Sequence, residues 1–181
     1  MRLKPSSYLI LGMLERGVET GYAIKRTVDL STRFFWSASL AQVYPELAAL
    51  EESGYVLSAD EPQGARPRKV YQLTDKGRAA HSEWLRSERT PHLEFRDEGI
   101  LRLFFADAME PGEALELVKR LRSRAEEIGR DFRAEILPVA QSVGGFPLIA
   151  AREGADYFAW RASWFRKLET ELADELGGRG R

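Results

Sequence analysis

Apolar residues at three- and four-residue spacings predict three helices within the first 55 residues of the chain. The first helix begins at Pro5, because the fixed φ of proline suits the first helical position. Thr20 is the predicted cap of the second helix, and the third occupies the segment 37–55. The apolar positions that these helices turn inward are Ile10, Leu11, Met13, Leu14, Ile24, Val28, Leu40, Val43, Leu47 and Leu50.

Pro45 falls in the middle of the third predicted helix, where a proline removes one backbone hydrogen bond. Its ring is expected on the outer face, opposite the inward apolar stripe. The carbonyl that it leaves unpaired, that of Ala41, then faces water. We therefore predict one continuous helix with a bend near its first turns.

Two short segments after Gly54 predict a β-hairpin. The segments YVLSA and RKVYQL read as strands, and the turn-rich segment DEPQGAR separates them. Thr74 then opens a fourth helix, TDKGRAAHSEWLRSE, which places Ala80, Trp84 and Leu85 on one side. The order is therefore three helices, a hairpin with a basic tip, and a helix.

Helical patterns fill the second half of the chain. A strongly apolar helix is predicted over 97–108, and Pro111 begins a longer one. The sequence VGGFP at 143–147 breaks the helical pattern before a last helix over roughly 151–176. The longer helix carries apolar residues at the alternating spacing of a coiled-coil-like contact: Val118, Leu121, Ala125, Ile128 and Phe132.

The last predicted helix is apolar on two sides. One stripe comprises Phe158, Ala162, Phe165, Leu168 and Leu172, and the other comprises Tyr157, Trp160 and Trp164. A helix with two apolar faces is usually buried between two layers. We infer that one stripe packs within the chain and the other against a second copy. The predicted dimer contacts are Val118, Leu121, Ile128, Phe132, Phe158, Phe165 and Leu168.

Composition narrows the classes of protein that fit. A chain of 181 residues with 44% hydrophobic and 30% charged residues can bury a core in one domain or two small ones. The absence of cysteine excludes disulfides, thiolate metal sites and cysteine nucleophiles. No apolar run approaches a membrane span and no signal-peptide pattern develops, so we expect a cytoplasmic protein without a membrane partner. The net charge of −1 gives no global sign of nucleic-acid binding.

The sequence does not favour an enzyme. His81 and His92 are too far apart to bind a metal from one helix, and His81 is expected to face solvent. None of the motifs HExxH, GxSxG and GxxxxGK[ST] occurs. Adjacent carboxylates such as Glu51 and Glu52 diverge on a helix and cannot share one proton. We expect no catalytic residue, no metal site and no cofactor.

The order of elements in the first half is that of a winged helix-turn-helix. The blocks GYAIK, FWSASLAQVYPELAALEESGYV and GARPRKVYQLTDKG resemble the signature segments of the PadR family of bacterial transcriptional regulators, in the same order and spacing. The segment RDEGILRLFFADAMEPGEAL resembles the start of the family's C-terminal helical domain. The resemblance implies a mainly α fold with a small β-hairpin wing, in which 1–88 is the DNA-binding domain and 89–181 an α-helical dimerisation domain. It further implies a homodimeric repressor of double-stranded operator DNA that answers to a small molecule.

The third helix shows a small, nearly uncharged outer face, as a helix that enters the major groove requires. On it, Gln42 either pairs with adenine or completes a capping box with Ser39. Ser37 and Ser39 are candidate contacts to phosphate or a base edge. Tyr44, at the border of this face, either reaches a phosphate through its hydroxyl or is a half-buried core residue.

Three cations near the predicted hairpin tip form the clearest local charge signal. Arg66, Arg68 and Lys69 lie within four residues, and a wing commonly contacts the DNA backbone or minor groove. Lys25 on the second helix is a further candidate phosphate contact. The alternative function is a protein-interaction adaptor built on the same winged-helix scaffold. Only the basic wing and the outer face of the third helix argue against it.

Tryptophans supply candidate surface for a planar effector. Trp36, Trp84, Trp160 and Trp164 offer flat apolar area at the junction of the two predicted domains. The alternative is that these aromatic residues belong to the core. If an effector exists, the uncharged surroundings favour an aromatic or apolar compound.

Overall fold

The computed structural model of the chain describes residues 2–62, 68–91, 93 and 95–179, with side chains described as far as 176. The chain divides into two compact units, Met1–Pro91 and His92–Arg181. The boundary predicted from the sequence, after Glu88, lies close to this division.

The N-terminal unit has the winged helix-turn-helix order that the sequence predicts. Its strands pair antiparallel, with Val56 opposite Leu73 and Glu61 opposite Arg68. Pro45 lies inside the third helix, which continues through it as predicted. The elements are α1 Pro5–Glu15, α2 Gly21–Asp29, α3 Leu40–Glu52, β1 Val56–Glu61, β2 Arg68–Leu73 and α4 Asp75–Leu85.

One apolar core holds the first three helices and the hairpin together. Nearly all of the inward positions predicted on α1, α2 and α3 belong to it, and Val56, Tyr71 and Leu73 add the hairpin's inner face. Leu40 is the exception, since 38% of its surface is exposed. It is the first residue of α3, where the stripe runs past the edge of the core.

His81 of α4 is buried, so the prediction that it faces solvent was wrong. Only 8% of its surface is exposed, and its Nδ1 is hydrogen-bonded to the carboxylate of Glu15 on α1. Gly12 makes room for the ring, because a Cβ there would lie 3.1 Å from Nε2 of His81. The predicted apolar side of α4 is instead largely exposed at Trp84 and Leu85.

The C-terminal unit is helical throughout its described elements. The predicted helix over 97–108 is shorter than expected and ends in a 3₁₀ turn at Ala106–Ala108. Gly144, with φ of 71°, separates the last two helices, so a break within VGGFP is confirmed, but the last helix begins at Gly145 and not near 151 as predicted. The helices are α5 Glu98–Phe104, α6 Pro111–Asp131, α7 Leu137–Val143 and α8 Gly145–Arg179.

A five-residue π-helix, Phe132–Ile136, joins α6 to α7. Its hydrogen-bond pattern is seen at Leu137, whose N–H donates to the carbonyl of Phe132. Pro138 follows directly and has no N–H, and in an α-helix its ring would press on the carbonyl of Ala134. The wider π turn therefore accommodates the proline without ending the helical path.

The core of this unit is the contact between α6 and α8. It contains Val118 and Ala125 from α6 and Ala162 and Phe165 from α8, with Leu121, Leu168 and Leu172 packed around them. The first stripe of the last helix thus packs within the chain, as one half of the two-stripe prediction requires. The second stripe is open to solvent at Trp160 and Trp164, which are 59% and 42% exposed.

This packing corrects the predicted dimer contacts. Val118 and Phe165 are fully buried within the unit, and Phe132 is 2% exposed, so none of the three presents surface to a second chain. Phe132 lies against Phe158 with ring centroids 5.7 Å apart. The regular spacing showed correctly that these faces are apolar, but the partner that covers them is the chain itself.

Among the described helices, none is long and apolar enough to cross a membrane.

Candidate nucleic-acid interface

The start of α3 is fixed by a capping box between Ser39 and Gln42. The N–H of Ser39 donates to Oε1 of Gln42 at 2.9 Å, and the hydroxyl of Ser39 lies 3.2 Å from the same oxygen. The backbone N–H of Gln42 donates to the carbonyl of Ser39 at 3.0 Å, and the two side chains have the reciprocal placement of a capping box. Within the described part of the chain, the NH₂ group of Gln42 makes no hydrogen bond. Its amide oxygen therefore serves the helix, while its donor side is directed to no protein group.

The outer face of α3 is exposed and carries small or uncharged residues. Ala41, Gln42, Pro45 and Ala48 are all exposed, whereas Val43, Leu47 and Leu50 on the opposite side are buried. A face of this kind allows the helix backbone to approach a flat or grooved surface closely. Ser37, which precedes the cap, is exposed as well.

Tyr44 packs against the first residue of α2. A Cβ on Gly21 would lie 2.7 Å from Cε1 of Tyr44, so only glycine leaves room for the ring as placed. The other side of the residue is open, and 47% of its surface is exposed. The ring therefore links α2 to α3 at the edge of the outer face, and Tyr44 is no core residue.

Each described cation of the predicted interface is engaged by a carboxylate of the same chain. Lys25 forms an ion pair with Asp29 one turn further along α2. Arg68 donates to Glu61 at 2.9 Å across the hairpin. Lys69 donates to Glu51 of α3 at 2.8 Å. Arg66 lies outside the described residues.

The pair of Lys69 and Glu51 is the only one of these three that joins the hairpin to α3. Its hydrogen bond raises the pKa of Lys69 and lowers the pKa of Glu51, so both groups are charged near neutral pH. The other carboxylate oxygen of Glu51 accepts from the hydroxyl of Ser58 on β1. One side chain of α3 therefore holds both strands of the wing.

Sequence reasoning noted Glu61 as offsetting the wing charge, but it did not pair any of the three cations with its carboxylate. Glu61 is directly opposite Arg68 in the strand register, so a hairpin alignment can find it. Asp29 stands four residues after Lys25, a spacing that favours helical ion pairs. Glu51 and Lys69 have no such local signal, because their contact depends on how the hairpin folds back onto α3.

The four tryptophans proposed for an effector lie in both units. Trp84 stacks on Tyr8 with centroids 4.8 Å apart and ring planes at 5°, which places it in the packing of α1 against α4. Trp36 is partly exposed between α2 and α3, and Trp160 borders an open groove on α8.

Among the described residues, no cluster of three or more acidic or histidine side chains could hold a metal ion.

Comparison with known proteins finds a family match within the N-terminal unit. The model of the transcriptional regulator PadR-like family matches residues 10–83, which is most of the N-terminal unit. The negative transcriptional regulator PadR of Bacillus subtilis is 34% identical over 113 residues, covering 62% of this chain and 62% of that relative. Residues 10–83 of this chain are therefore similar to the PadR-like family. The match to the curated relative spans less than two thirds of that protein's length.

Solved structures show the same fold. The crystal structure of Bacillus subtilis PadR in complex with operator DNA aligns with a TM-score of 0.84 and 24% identity, covering 93% of this chain and 99% of that one. The structure of that protein in complex with p-coumaric acid aligns with a TM-score of 0.74 and 21% identity, covering 95% and 99%. The winged helix-turn-helix with C-terminal helices is thus the fold of this chain.

Proposed function

We propose that this chain is a homodimeric transcriptional repressor that binds a dyad-symmetric operator with α3 in the major groove. The observation that carries the proposal is the outer face of α3, which is exposed, small and uncharged and lies opposite a buried stripe. In this proposal the free NH₂ group of Gln42 donates to a base edge, and Ser37, Ser39 and Tyr44 contact phosphate or sugar. The hairpin lies along the backbone or minor groove, and Lys25 lies near the backbone.

The relatives support both DNA binding and repression. The Bacillus subtilis relative is named a negative transcriptional regulator, and the same protein has been solved with operator DNA. Those properties belong to that protein, and the identity to it covers 62% of this chain. We extend them to this chain because the family match covers α2, α3 and the hairpin, the elements that would contact DNA.

We propose that the second copy covers the open stripe of α8. Trp160 and Trp164 are the exposed part of that stripe, and Phe146 and Ile149 add exposed apolar surface near the start of the helix. Exposed apolar area of this kind is typical of an interaction surface. Of the dimer contacts predicted from sequence, Leu121, Ile128, Phe158 and Leu168 stay predictions. Sedimentation that shows a monomer at micromolar concentration would remove this part of the proposal.

We further propose a small aromatic effector, for which Trp36, Trp84, Trp160 and Trp164 remain candidate contacts. The support is the p-coumaric acid complex of the Bacillus subtilis relative. Titration of the chain with p-coumaric acid, followed by tryptophan fluorescence and by release from DNA, tests it. Because Trp160 and Trp164 are also assigned to the second copy, sedimentation of Trp160→Ala and Trp164→Ala variants decides which role they have.

One observation favours the alternative, a protein-interaction adaptor. The pairing of Lys25, Arg68 and Lys69 with carboxylates reduces the positive potential of the face that would meet DNA. An adaptor would bind DNA weakly and without regard to sequence. A gel-shift titration with specific and scrambled DNA therefore separates the repressor from the adaptor.

The deciding experiment is a gel-shift titration with the DNA upstream of the chain's own gene. We expect a protein-dependent shift at low salt that a scrambled fragment of equal length and composition does not compete away. Addition of unlabelled specific fragment should reverse it. No shift at low salt, or a shift that both fragments compete equally, contradicts the proposed function.

A further inference from the structure

Lys69 of the wing is hydrogen-bonded to the carboxylate of Glu51. This carboxylate offers the lysine the same negative charge and the same bonding distance as a DNA phosphate would. The Nζ of Lys69 lies 2.8 Å from Oε2 of Glu51, which is a normal charge-assisted hydrogen bond. Both side chains keep solvent access, with 48% of Lys69 and 32% of Glu51 exposed. A phosphate oxygen that approaches the wing therefore meets a lysine whose charge is already paired with a carboxylate, through one of its three N–H donors.

Glu51 is held in place independently of Lys69. Its second oxygen accepts a hydrogen bond from Ser58 of β1, so the carboxylate is oriented between the two strands. The residue lies near the end of α3, on an element fixed by the core at Leu47 and Leu50. A carboxylate anchored in this way loses little conformational freedom when it binds Lys69.

From this geometry we propose that Glu51 competes with the DNA backbone for Lys69 and thereby lowers the affinity of the protein for DNA of any sequence. The proposal rests on the DNA-binding function proposed above. In this role Glu51 sets the affinity of the protein for DNA, but it contacts no base.

The solvent exposure of the ion pair between Glu51 and Lys69 sets the size of its expected effect on DNA affinity. Ion pairs between solvent-exposed side chains are weak, so a phosphate can open the pair, but at a cost. Removing the competing charge is expected to raise affinity roughly two- to fivefold. Lys69 then becomes available to one phosphate, and the slope of log K against log[salt] steepens by about 0.9.

The test is Glu51→Gln, which keeps the shape and a hydrogen-bonding group for Ser58 but removes the charge. The matched control is Glu52→Gln, since the neighbouring residue is exposed on the same helix and its side chain makes no hydrogen bond or ion pair among the described residues. Both variants change the net charge by the same amount, so their difference isolates the contact to Lys69. Fluorescence anisotropy with operator and non-operator duplexes at several salt concentrations gives affinities and slopes.

We expect Glu51→Gln to bind both duplexes about two- to fivefold more tightly than Glu52→Gln. In a Lys69→Ala background that difference should vanish. Equal affinities for the two glutamine variants overturn the inference, as does a difference that survives in Lys69→Ala.

Three outcomes separate a failure of this inference from a failure of the proposed function. If Glu51→Gln binds more weakly and also unfolds at a clearly lower temperature than Glu52→Gln, Glu51 supports the wing structurally and the inference is wrong. If the parent chain binds operator DNA while the glutamine variants are indistinguishable, only the inference fails. If the parent chain binds no DNA at all, the proposed function fails together with it.

Discussion

Gly77 of α4 lies directly against the carbonyl oxygen of Tyr55, so closely that a Cβ on the glycine would be 2.1 Å from that oxygen. Thr74 fixes the contact, because its backbone N–H donates to the same carbonyl at 3.1 Å. Its hydroxyl accepts from the N–H of Gly77 at 3.1 Å and donates to the carbonyl of Gly54 at 2.8 Å. The first turn of α4 is thereby docked onto the turn that connects α3 to the wing.

Gly77→Ala is expected to destabilise the N-terminal unit by about 1–3 kcal/mol, because the obstacle is backbone and cannot rotate aside. Urea unfolding followed by circular dichroism measures the loss. Gly112→Ala is the control, since that glycine lies in the first turn of α6 with no atom within 4 Å of an added Cβ. There alanine should be neutral or stabilising by less than about 1 kcal/mol. Equal effects of the two substitutions would contradict the tight contact.

The sequence alone predicted those features whose cause is local. Periodic apolar residues such as Val43, Leu47 and Leu50 define α3, and the capping pair of Ser39 and Gln42 is visible three residues apart. The hairpin follows from two apolar segments around turn residues. The family blocks, which are also local, placed these elements in the right order.

Features that depend on distant residues could not be predicted in this way. The burial of His81 depends on Glu15, which is 66 residues away, and on the space left by Gly12. Periodicity showed that the faces of Val118 and Phe165 are apolar, but it carries no information on whether one chain or two cover them. The link between Glu51 and Lys69 likewise exists only once the wing has folded back.

Gln42→Glu and Gln42→Ala separate the two roles of Gln42. Glutamate still accepts the hydrogen bond from Ser39, so Gln42→Glu should keep the stability of the parent chain. It cannot donate to a base and it repels phosphate, so operator affinity should fall at least tenfold. Gln42→Ala should lose about 1 kcal/mol of stability with the cap, and its sequence preference should change.

Thermal unfolding and a competition assay with operator variants check these outcomes. If Gln42→Ala keeps the sequence preference of the parent chain, the side chain serves only the cap. If Gln42→Glu binds the operator as tightly as the parent does, α3 does not approach DNA at this position.

The wing cations are expected to contribute affinity without sequence preference. Replacing Arg66, Arg68 and Lys69 together by alanine should weaken binding to all duplexes and flatten the salt dependence by up to about 2 in slope, because Lys69 is engaged by Glu51 in the parent chain. Binding isotherms at four or more salt concentrations give the slope. Alanine at Arg78, Arg86 and Arg89, which are exposed outside the predicted interface, is the charge-matched control. A similar change in slope for both triple variants would show that only net charge matters.

A network of four charged residues joins α6 to α8 and gives the stability of the C-terminal unit a dependence on pH. Arg122 donates to Glu169 at 2.7 Å and to Glu126 at 3.0 Å, and Arg166 donates to Glu126 at 2.7 Å. Burial raises the pKa of Glu126, but the hydrogen bonds from Arg166 and Arg122 lower it more, so the net shift is downward. The folded state therefore favours the charged form of Glu126.

Glu126→Gln is expected to lower the free energy of unfolding by about 1 kcal/mol at pH 7. A carboxyl group whose pKa is lowered on folding stabilises the protein above its unfolded pKa of about 4.3, and this contribution disappears as the pH falls through the folded value. The difference in the free energy of unfolding between parent and variant should therefore shrink steadily below about pH 4, which urea unfolding at a series of pH values measures.

Glu127→Gln is the control, because Glu127 pairs only with Arg124 of the same helix among the described residues and both are largely exposed. It should change stability by less than about 0.5 kcal/mol at any pH. A loss in Glu126→Gln that is independent of pH would mean that packing of the side chain, and not its charge, joins α6 to α8.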